Sequence, residues 1–173
     1  MVNIGVIGCG HWGPNLIRNF EHIEGAKVLF ACDLDESRLD HMAKLYPAVQ
    51  RTKDYHRILQ SPDIDAVCVA TPAATHFTLA KNALLHAKHV LIEKPMTLTS
   101  RDAKELVQIA EEQKRVLMVA HTFEYNASVQ KLRELVQSGE LGNILYVSMT
   151  RVNLVIFRED VNVVWDLCPH DIS

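Results

Sequence analysis

The chain has 173 residues, of which 48% are hydrophobic and 23% are charged, as is ordinary for a soluble globular protein. Its formal net charge of −3 gives no electrostatic reason to expect a nucleic acid or an anionic membrane as a partner. No apolar run reaches the roughly 18 residues of a membrane span, and the opening MVNIGVIG lacks the basic region and long apolar stretch of a signal peptide.

The four cysteines carry no disulfide or metal-binding signature. Cys9, Cys32, Cys68 and Cys168 are widely spaced without a CxxC motif, and three of them end or interrupt apolar runs. This usage favours buried free thiols in a protein of the reducing cytoplasm.

Apolar, strand-like runs alternate with helix-like segments along most of the chain. The strand candidates span residues 3–8, 27–33, 48–51, 65–71, 89–95 and 116–121. The helix candidates span residues 12–22, 36–46, 54–60, 76–87, 100–113 and 126–139. Repeated strand-then-helix units with nearly continuous apolar strands predict a Rossmann-type α/β fold, a doubly wound parallel sheet with helices on both faces.

The pattern changes after Gly139 and Gly142. Residues 143–157 form a long strand candidate, rich in β-branched and aromatic side chains, with no helix before the next polar break. Because a lone strand is not stable by itself, it predicts the first strand of a second, incomplete sheet. We therefore expect a nucleotide-binding domain over residues 1–122 and the start of a substrate and oligomerisation domain over residues 123–173. An unpaired apolar strand recruits partners, so we expect either a homo-oligomer through it or a separately encoded C-terminal half.

A glycine motif follows the first predicted strand. Gly8, Gly10 and Gly13 form GxGxxG between that strand and a helix, and Asp33 lies about 20 residues further on, at the end of the next strand. Gly8 permits the tight turn, Gly10 lets the backbone approach a pyrophosphate, and Gly13 lets helix and strand pack closely. The helix N-terminus then offers N–H groups to the phosphates. The alternative is a glycine-rich turn without a ligand.

The same region bears on the choice of cofactor. The charge of Asp33 would repel a 2′-phosphate, which favours NAD over NADP. Arg38 complicates this prediction, since an arginine can accommodate such a phosphate. Its alternative interpretation is a solvated helix residue.

Polar residues also follow two later strands. Lys94 ends the strand LIEKP, where open α/β sheets build their sites, and Pro95 is a candidate for a cis peptide bond. Thr71, Pro72 and His76 follow the preceding strand, over the expected cofactor position. The alternatives are a snorkelling surface lysine for Lys94 and a simple helix-start residue for His76.

Asp166 and His170 are four residues apart, so they would share one face of a helix. That spacing suits a proton-transferring pair, although a surface ion pair is the alternative. A metal site that adds Cys168 lacks a distant fourth ligand, so we expect no metal.

In this order, GxGxxG with its aspartate, TPxxxH, EKP and DxxxH resemble the Gfo/Idh/MocA oxidoreductases, which act on sugars, inositols and sugar nucleotides with a nicotinamide cofactor. The resemblance covers essentially the whole chain, and EKP is its most specific motif. The segments AHTFEYN (120–126) and WDLCPHDIS (165–173) are most similar to the branch that oxidises the 3-position of UDP-N-acetylglucosaminuronic acid or related UDP-sugars.

The resemblance implies a role for each matching residue. Lys94 would hydrogen-bond the reacting hydroxyl, His170 would act as the general base while hydride leaves for the nicotinamide, and Asp166 would orient substrate and histidine. Tyr125 and Asn126 would line the sugar pocket. The cofactor would be held by Gly8, Gly10, His11, Trp12, Gly13, Asp33, Arg38, Thr71, Pro72, His76, Glu93 and Lys94.

Members of this family are longer than this chain, and their remaining part is an α/β domain that covers the active site. We therefore expect a cofactor domain that folds and binds NAD, with weak or no turnover unless another chain supplies the rest. The alternatives are a non-catalytic NAD-binding regulator and one half of a split enzyme.

Overall fold

The computed structural model of the protein describes residues 1–152 and 161–172. The chain separates into two compact units, Met1–Val119 and Ala120–Ser173. Within the described ranges, no helix is both long enough and apolar enough to cross a membrane.

The first unit is built on a six-stranded sheet in which every neighbouring pair of strands is parallel. The strands are β1 Val2–Ile7, β2 Ala26–Cys32, β3 Gln50–Thr52, β4 Ala66–Val69, β5 His89–Ile92 and β6 Leu117–Val119. Their order across the sheet is β3-β2-β1-β4-β5-β6, so the direction of winding reverses between β1 and β4. This is the Rossmann-type arrangement that the alternation of strands and helices predicts.

Five helices connect these strands, and buried side chains form a core on each face of the sheet. The helices are α1 Gly13–Glu21, α2 Glu36–Leu45, α3 His56–Gln60, α4 Ala73–Leu85 and α5 Ser100–Glu112. Successive strand residues face opposite sides, so Val6 packs in the core with α1 and α2, while Ile7 packs in the core with α3, α4 and α5. Burial on both sides explains why the strands are almost continuously apolar.

Local signals fix where the helices begin. Asp35 precedes α2 and accepts a hydrogen bond from the backbone N–H of Ser37, and Thr99 precedes α5 and accepts one from Asp102. Each of these caps satisfies a backbone donor that the helix itself leaves unpaired, and is worth about 1 kcal/mol. Pro14 stands in the first turn of α1, where its missing N–H costs no helical hydrogen bond.

The second unit begins with a 3₁₀ turn over Thr122–Tyr125, which the sequence did not predict, and continues with helix α6 Ala127–Gln137. The strand predicted over residues 143–157 is wrong where it can be compared: residues 143–152 form no strand, and residues 153–157 lie outside the described ranges. A strand needs a hydrogen-bonded neighbour, and the described part of this unit contains no other strand to supply one. Leu145 and Tyr146 are accordingly almost fully exposed.

Asp166 and His170 do not lie on one helix, which corrects the prediction from their spacing. Asp166 belongs to α7 Val163–Leu167, and His170 belongs to α8 Pro169–Ile172. The interruption falls at Cys168 because Pro169 has no N–H to donate to the carbonyl of the preceding turn.

Candidate functional site

The strand ends that carry the predicted cofactor residues are tied to one another by backbone hydrogen bonds. The N–H of Gly8 donates to Cys32 on β2 at 2.8 Å, and the N–H of Ala70 donates to Ile7 on β1 at 2.8 Å. One strand further along, the N–H of Glu93 donates to the carbonyl of Val69 at 2.9 Å. The loops after β1, β4 and β5 therefore start side by side at the carboxyl edge of the sheet, where ligands bind in open α/β folds.

Three glycines leave the backbone of the loop after β1 and the start of α1 without side chains at close contacts. Gly8 has a φ of +97°, and a Cβ there would lie 2.5 Å from the carbonyl oxygen of Ala70. A Cβ on Gly13 would collide with the carbonyl oxygen of Gly8, so helix α1 packs directly on the turn. A Cβ on Gly10 would meet only the guanidinium of Arg38, at 3.6 Å. The residues present thus fit the pyrophosphate of a dinucleotide, with backbone exposed where it must approach.

Asp33 follows β2 and connects this loop to the next one. Its Oδ2 accepts a hydrogen bond from the N–H of Cys9 at 2.7 Å, and its Oδ1 accepts one from the N–H of Asp35 at 2.9 Å. The side chain is 8% exposed, so the carboxylate is largely buried beside the glycine loop. A carboxylate accepts about four hydrogen bonds, which leaves acceptor capacity for a ribose hydroxyl.

Arg38 is not a solvated helix residue without partners. Its Nη1 lies 3.4 Å from Oδ2 of Asp33, and its Nε lies 3.6 Å from Oδ2 of Asp35. The Ser37 hydroxyl and backbone N–H lower the pKa of Asp35, and the charge of Arg38 lowers it further. Arg38 therefore stands as a half-exposed cation beside the glycine loop and beside the predicted ribose carboxylate.

His76 connects the loop after β4 with the loop after β5. Its Nδ1 lies 2.8 Å from the carbonyl oxygen of Pro95, and its Nε2 lies 2.8 Å from the carbonyl oxygen of Thr71. The residue is only 1% exposed. The sequence placed His76 over a cofactor, and the structure places its two ring nitrogens against backbone.

Glu93 and Lys94 directly follow β5, at the same edge of the sheet as the glycine loop. The Lys94–Pro95 peptide bond is cis, as the sequence suggested. Beside Pro72, which precedes α4, the hydroxyls of Thr71 and Thr75 lie 2.7 Å apart. The remaining predicted cofactor residues, His11 and Trp12, are exposed on the glycine loop, with their rings edge to face.

The cysteines near this edge are not candidates for nucleophiles. Burial raises the pKa of Cys9 to about 12 and that of Cys68 to about 12, and it raises the pKa of Cys32 to about 11. All three are buried thiols without a disulfide, as the sequence predicted. A thiol that stays protonated at neutral pH is a poor nucleophile.

In the second unit, His170 stands in a small cluster that sequence reasoning missed. Its ring stacks at a tilt on Phe123, with centroids 5.0 Å apart, and the guanidinium of Arg151 lies 4.6 Å above the same phenyl ring. Arg151 also forms a two-pronged ion pair with Asp171, in which Nε lies 2.8 Å from Oδ2. Its guanidinium holds the pKa of the Asp171 carboxyl below its usual range. No local pattern predicts a pair 20 residues apart.

The two predicted pocket residues differ in their surroundings. Tyr125 is largely exposed at the end of the 3₁₀ turn. Asn126 caps helix α6, because its Oδ1 accepts hydrogen bonds from the N–H groups of Ser128 and Val129. Within residues 1–152 and 161–172, histidine, cysteine and carboxylate side chains nowhere gather in threes as a metal site requires.

Curated relatives of the chain include enzymes that act on sugars and cyclitols by name. The chain is 32% identical over 154 residues to glycosyl hydrolase family 109 protein 2 of Shewanella sp. ANA-3, a match covering 84% of the chain and 34% of the relative. It is 29% identical over 141 residues to myo-inositol 2-dehydrogenase of Thermotoga maritima, covering 82% of the chain and 42% of the relative. The chain thus spans between a third and a half of the length of these relatives.

Solved structures share the fold. The YvaA protein of Bacillus subtilis matches with a TM-score of 0.87 at 24% identity, covering 99% of this chain and 51% of its own. The WlbA dehydrogenase of Chromobacterium violaceum, in complex with NADH and UDP-GlcNAcA, matches with a TM-score of 0.76 at 27% identity over 82% of this chain and 41% of its own. KijD10, a 3-ketoreductase of Actinomadura kijaniata in complex with NADP and TDP-benzene, matches with a TM-score of 0.74 at 26% identity. This match covers 80% of this chain and 42% of its own.

The family follows from the first unit. Residues 2–121, well over half of the chain, match the family model described as an oxidoreductase family with an NAD-binding Rossmann fold. The reversal of winding between β1 and β4, the glycine loop and the acidic residue after β2 are the structural counterpart of that description. The chain therefore belongs to the Gfo/Idh/MocA oxidoreductase family.

Proposed function

We propose that the chain is the cofactor-binding part of an NAD-dependent oxidoreductase that takes hydride from a hydroxyl-bearing carbon of a sugar or sugar nucleotide. The observation that carries this proposal is the glycine cradle with the Asp33 carboxylate beside it, at the same sheet edge as Lys94. A relative named myo-inositol 2-dehydrogenase and the WlbA dehydrogenase, whose structure holds NADH and UDP-GlcNAcA, support it. The four free cysteines support a cytoplasmic protein.

In this proposal the cofactor is held by backbone groups more than by side chains. The loop of Gly8, Gly10 and Gly13 and the N-terminus of α1 would hold the pyrophosphate, and Asp33 would accept hydrogen bonds from the adenosine ribose. When bound, the nicotinamide supplies the hydride acceptor. Asp33 is already fixed by two backbone N–H groups, so its charge cannot turn away from a 2′-phosphate. We therefore propose NAD rather than NADP, with Arg38 as the competing influence.

The catalytic roles in this proposal are those that the family resemblance implies for the matching residues. Lys94 would donate a hydrogen bond to the reacting hydroxyl and stabilise the negative charge that develops there. His170 would take the hydroxyl proton, and Asp166 would orient it. Tyr125 and Asn126 would contact the sugar. The WlbA dehydrogenase structure holds UDP-GlcNAcA, which supports a UDP-sugar as the substrate class.

Calorimetric titration with NAD⁺ and NADP⁺ tests the cofactor proposal. We expect saturable NAD⁺ binding that is at least tenfold tighter than NADP⁺ binding, a difference of about 1.4 kcal/mol. Asp33→Asn should weaken NAD⁺ binding and reduce or reverse the preference, because the amide no longer repels a phosphate. Asp63→Asn, an exposed carboxylate before β4, is the matched control. Tighter binding of NADP⁺ to the unmodified chain would contradict the assignment of NAD.

Turnover tests the chemical proposal. Formation of reduced nicotinamide would be followed with UDP-N-acetylglucosaminuronic acid, other UDP-sugars and free inositols. Lys94→Met should lower any turnover roughly a hundredfold, the size of effect expected for one donor to developing negative charge, while Lys104→Met on the exposed face of α5 should not. NAD⁺ binding without turnover on any substrate would favour the alternative, a non-catalytic NAD-binding regulator or one half of a split enzyme.

A further inference from the structure

We propose that His76 is a positioning residue held as an imidazolium, and that its two N–H groups bind the turn carrying Lys94 to the loop after β4. The role of Lys94 in this inference rests on the function proposed above. The protonation of His76 does not, since it is argued from the contacts of its ring with Pro95 and Thr71.

The geometry sets two acceptors against one ring. The carbonyl oxygens of Pro95 and Thr71 each lie 2.8 Å from a different nitrogen of His76. A carbonyl oxygen only accepts hydrogen bonds, whereas a neutral imidazole has one N–H and one bare nitrogen. A neutral His76 would therefore point a lone pair at one of the two carbonyls. The imidazolium, with an N–H on both nitrogens, satisfies both contacts.

The ring of His76 is shielded from solvent. His76 is 1% exposed, so solvent does not reach a bare nitrogen there. Burial by itself favours the neutral form, and so does the position of His76 in the first turn of α4, where the helix dipole is positive. Two charge-assisted hydrogen bonds oppose these effects, and such bonds are about twice as strong as neutral ones.

Charged groups on the neighbouring elements also affect whether the neutral or the charged form of His76 is favoured. Helix α4 packs against β4, β5 and α5. Besides His76 itself, the titratable groups on these elements and directly after β5 are Cys68, Lys81, His89, Glu93, Lys94, Arg101, Asp102, Lys104, Glu105, Glu111 and Glu112. Glu105 is paired with Lys81 at 2.6 Å, and burial keeps Cys68 protonated. Glu93 acts on Cys68 through its charge, so a carboxylate lies near the strand ends that His76 connects.

The connection bears directly on Lys94. Pro95 is its neighbour in the chain, and Thr71 lies in the loop between β4 and α4. Loss of the second proton from His76 would remove one of its two hydrogen bonds. A bare ring nitrogen would then face a carbonyl oxygen, and both atoms are acceptors. The tie should therefore be complete below the pKa of His76 and weakened above it, and the inference requires that pKa to exceed the ordinary value of about 6.5.

The first test is nuclear magnetic resonance of the full chain labelled with ¹⁵N in histidine, without cofactor or substrate. The signals of His76 are assigned by their absence from His76→Gln. We expect both ring nitrogens of His76 to carry protons at about pH 7, with slowly exchanging N–H signals. One unprotonated His76 nitrogen at that pH would overturn the charged form. This result does not depend on whether the chain turns over.

The second test follows Lys94 through its side-chain methylene signals, assigned with Lys94→Met. Raising the pH through the His76 titration should move the Lys94 signals with the same midpoint. His76→Gln, which cannot donate in both directions with the same geometry, should displace them and weaken NAD⁺ binding roughly tenfold. His86→Gln, an exposed histidine at the other end of α4, is the matched control. Lys94 signals equally unaffected by both variants would overturn the positioning role.

The two failures can be told apart. If NAD⁺ binds and His76 is doubly protonated but no sugar is oxidised, the proposed reaction fails while the inference about His76 stands. If sugar is oxidised while His76 is neutral, the reaction stands and the inference fails.

Discussion

Two glycines of the loop after β1 are required for different physical reasons. Gly13 allows α1 to contact the carbonyl oxygen of Gly8, a contact inside the protein. A Cβ on Gly10 would meet only the Arg38 guanidinium, so the glycine leaves space for a ligand to approach the backbone from solvent. A substitution at Gly13 should therefore change mainly stability, and one at Gly10 mainly cofactor affinity.

We predict that one added methyl group lowers stability at Gly13 and cofactor affinity at Gly10. Gly13→Ala should lower the free energy of unfolding by about 1–3 kcal/mol, the cost of forcing extra volume into a packed contact. Gly10→Ala should leave that free energy within about 0.5 kcal/mol and weaken NAD⁺ binding, because the methyl group occupies the approach of the pyrophosphate. Urea unfolding and calorimetric titration of both variants measure this. Equal losses of stability would contradict it.

At the scale of elements, the sequence pattern predicts the helices and strands whose formation depends on nearby residues. The strands of the first unit are buried on both faces, so their apolar runs are visible in the sequence, and the glycine loop and Asp33 follow from their spacing. Residues 143–157 have equal β propensity, yet no strand forms over residues 143–152, because pairing requires a second strand. The ties made by His76 and Arg151 join residues far apart in the chain, which spacing does not encode.

The ion pair that holds α8 gives a prediction about pH. Arg151 lowers the pKa of Asp171 in the folded unit, so its contribution is present above the unfolded pKa of about 3.8 and is lost as pH falls through the folded value. Carbon NMR of the Asp171 carboxyl should give a midpoint below 3.8. In Arg151→Gln the midpoint should rise toward the ordinary value, while Arg133→Gln, which removes a separate pair with Glu124, should leave it unchanged. An unchanged midpoint in Arg151→Gln would refute the pairing.

At the scale of the whole molecule, the two units differ in how completely they bury their apolar residues. The first encloses a core on each face of its sheet. The second has no fully buried residue in its described helices, and Leu145, Tyr146 and Val147 are 89%, 85% and 71% exposed. A run of this kind supports the proposal that the chain associates with a second copy of itself or with another chain.

We predict self-association through that exposed segment. Sedimentation equilibrium of the chain should give a mass at least twice the 19.5 kDa of one copy. Leu145→Lys together with Tyr146→Lys should return it to the mass of one copy, since two charges oppose burial of the segment. Val107→Lys, at an exposed position of α5, is the control. A stable single copy of the unmodified chain would contradict self-association.

The backbone hydrogen bonds across the ends of β2, β1, β4 and β5 have a consequence for engineering. Gly8, Ala70 and Glu93 each donate to the neighbouring strand, so the three loops depart from points that are fixed relative to one another. A loop can then be exchanged for that of a relative without displacing the other two. In the function proposed above, Asp33 after β2 selects the cofactor and Lys94 after β5 contacts the substrate. On that proposal, selection or design could change one specificity by exchanging one loop while keeping the other.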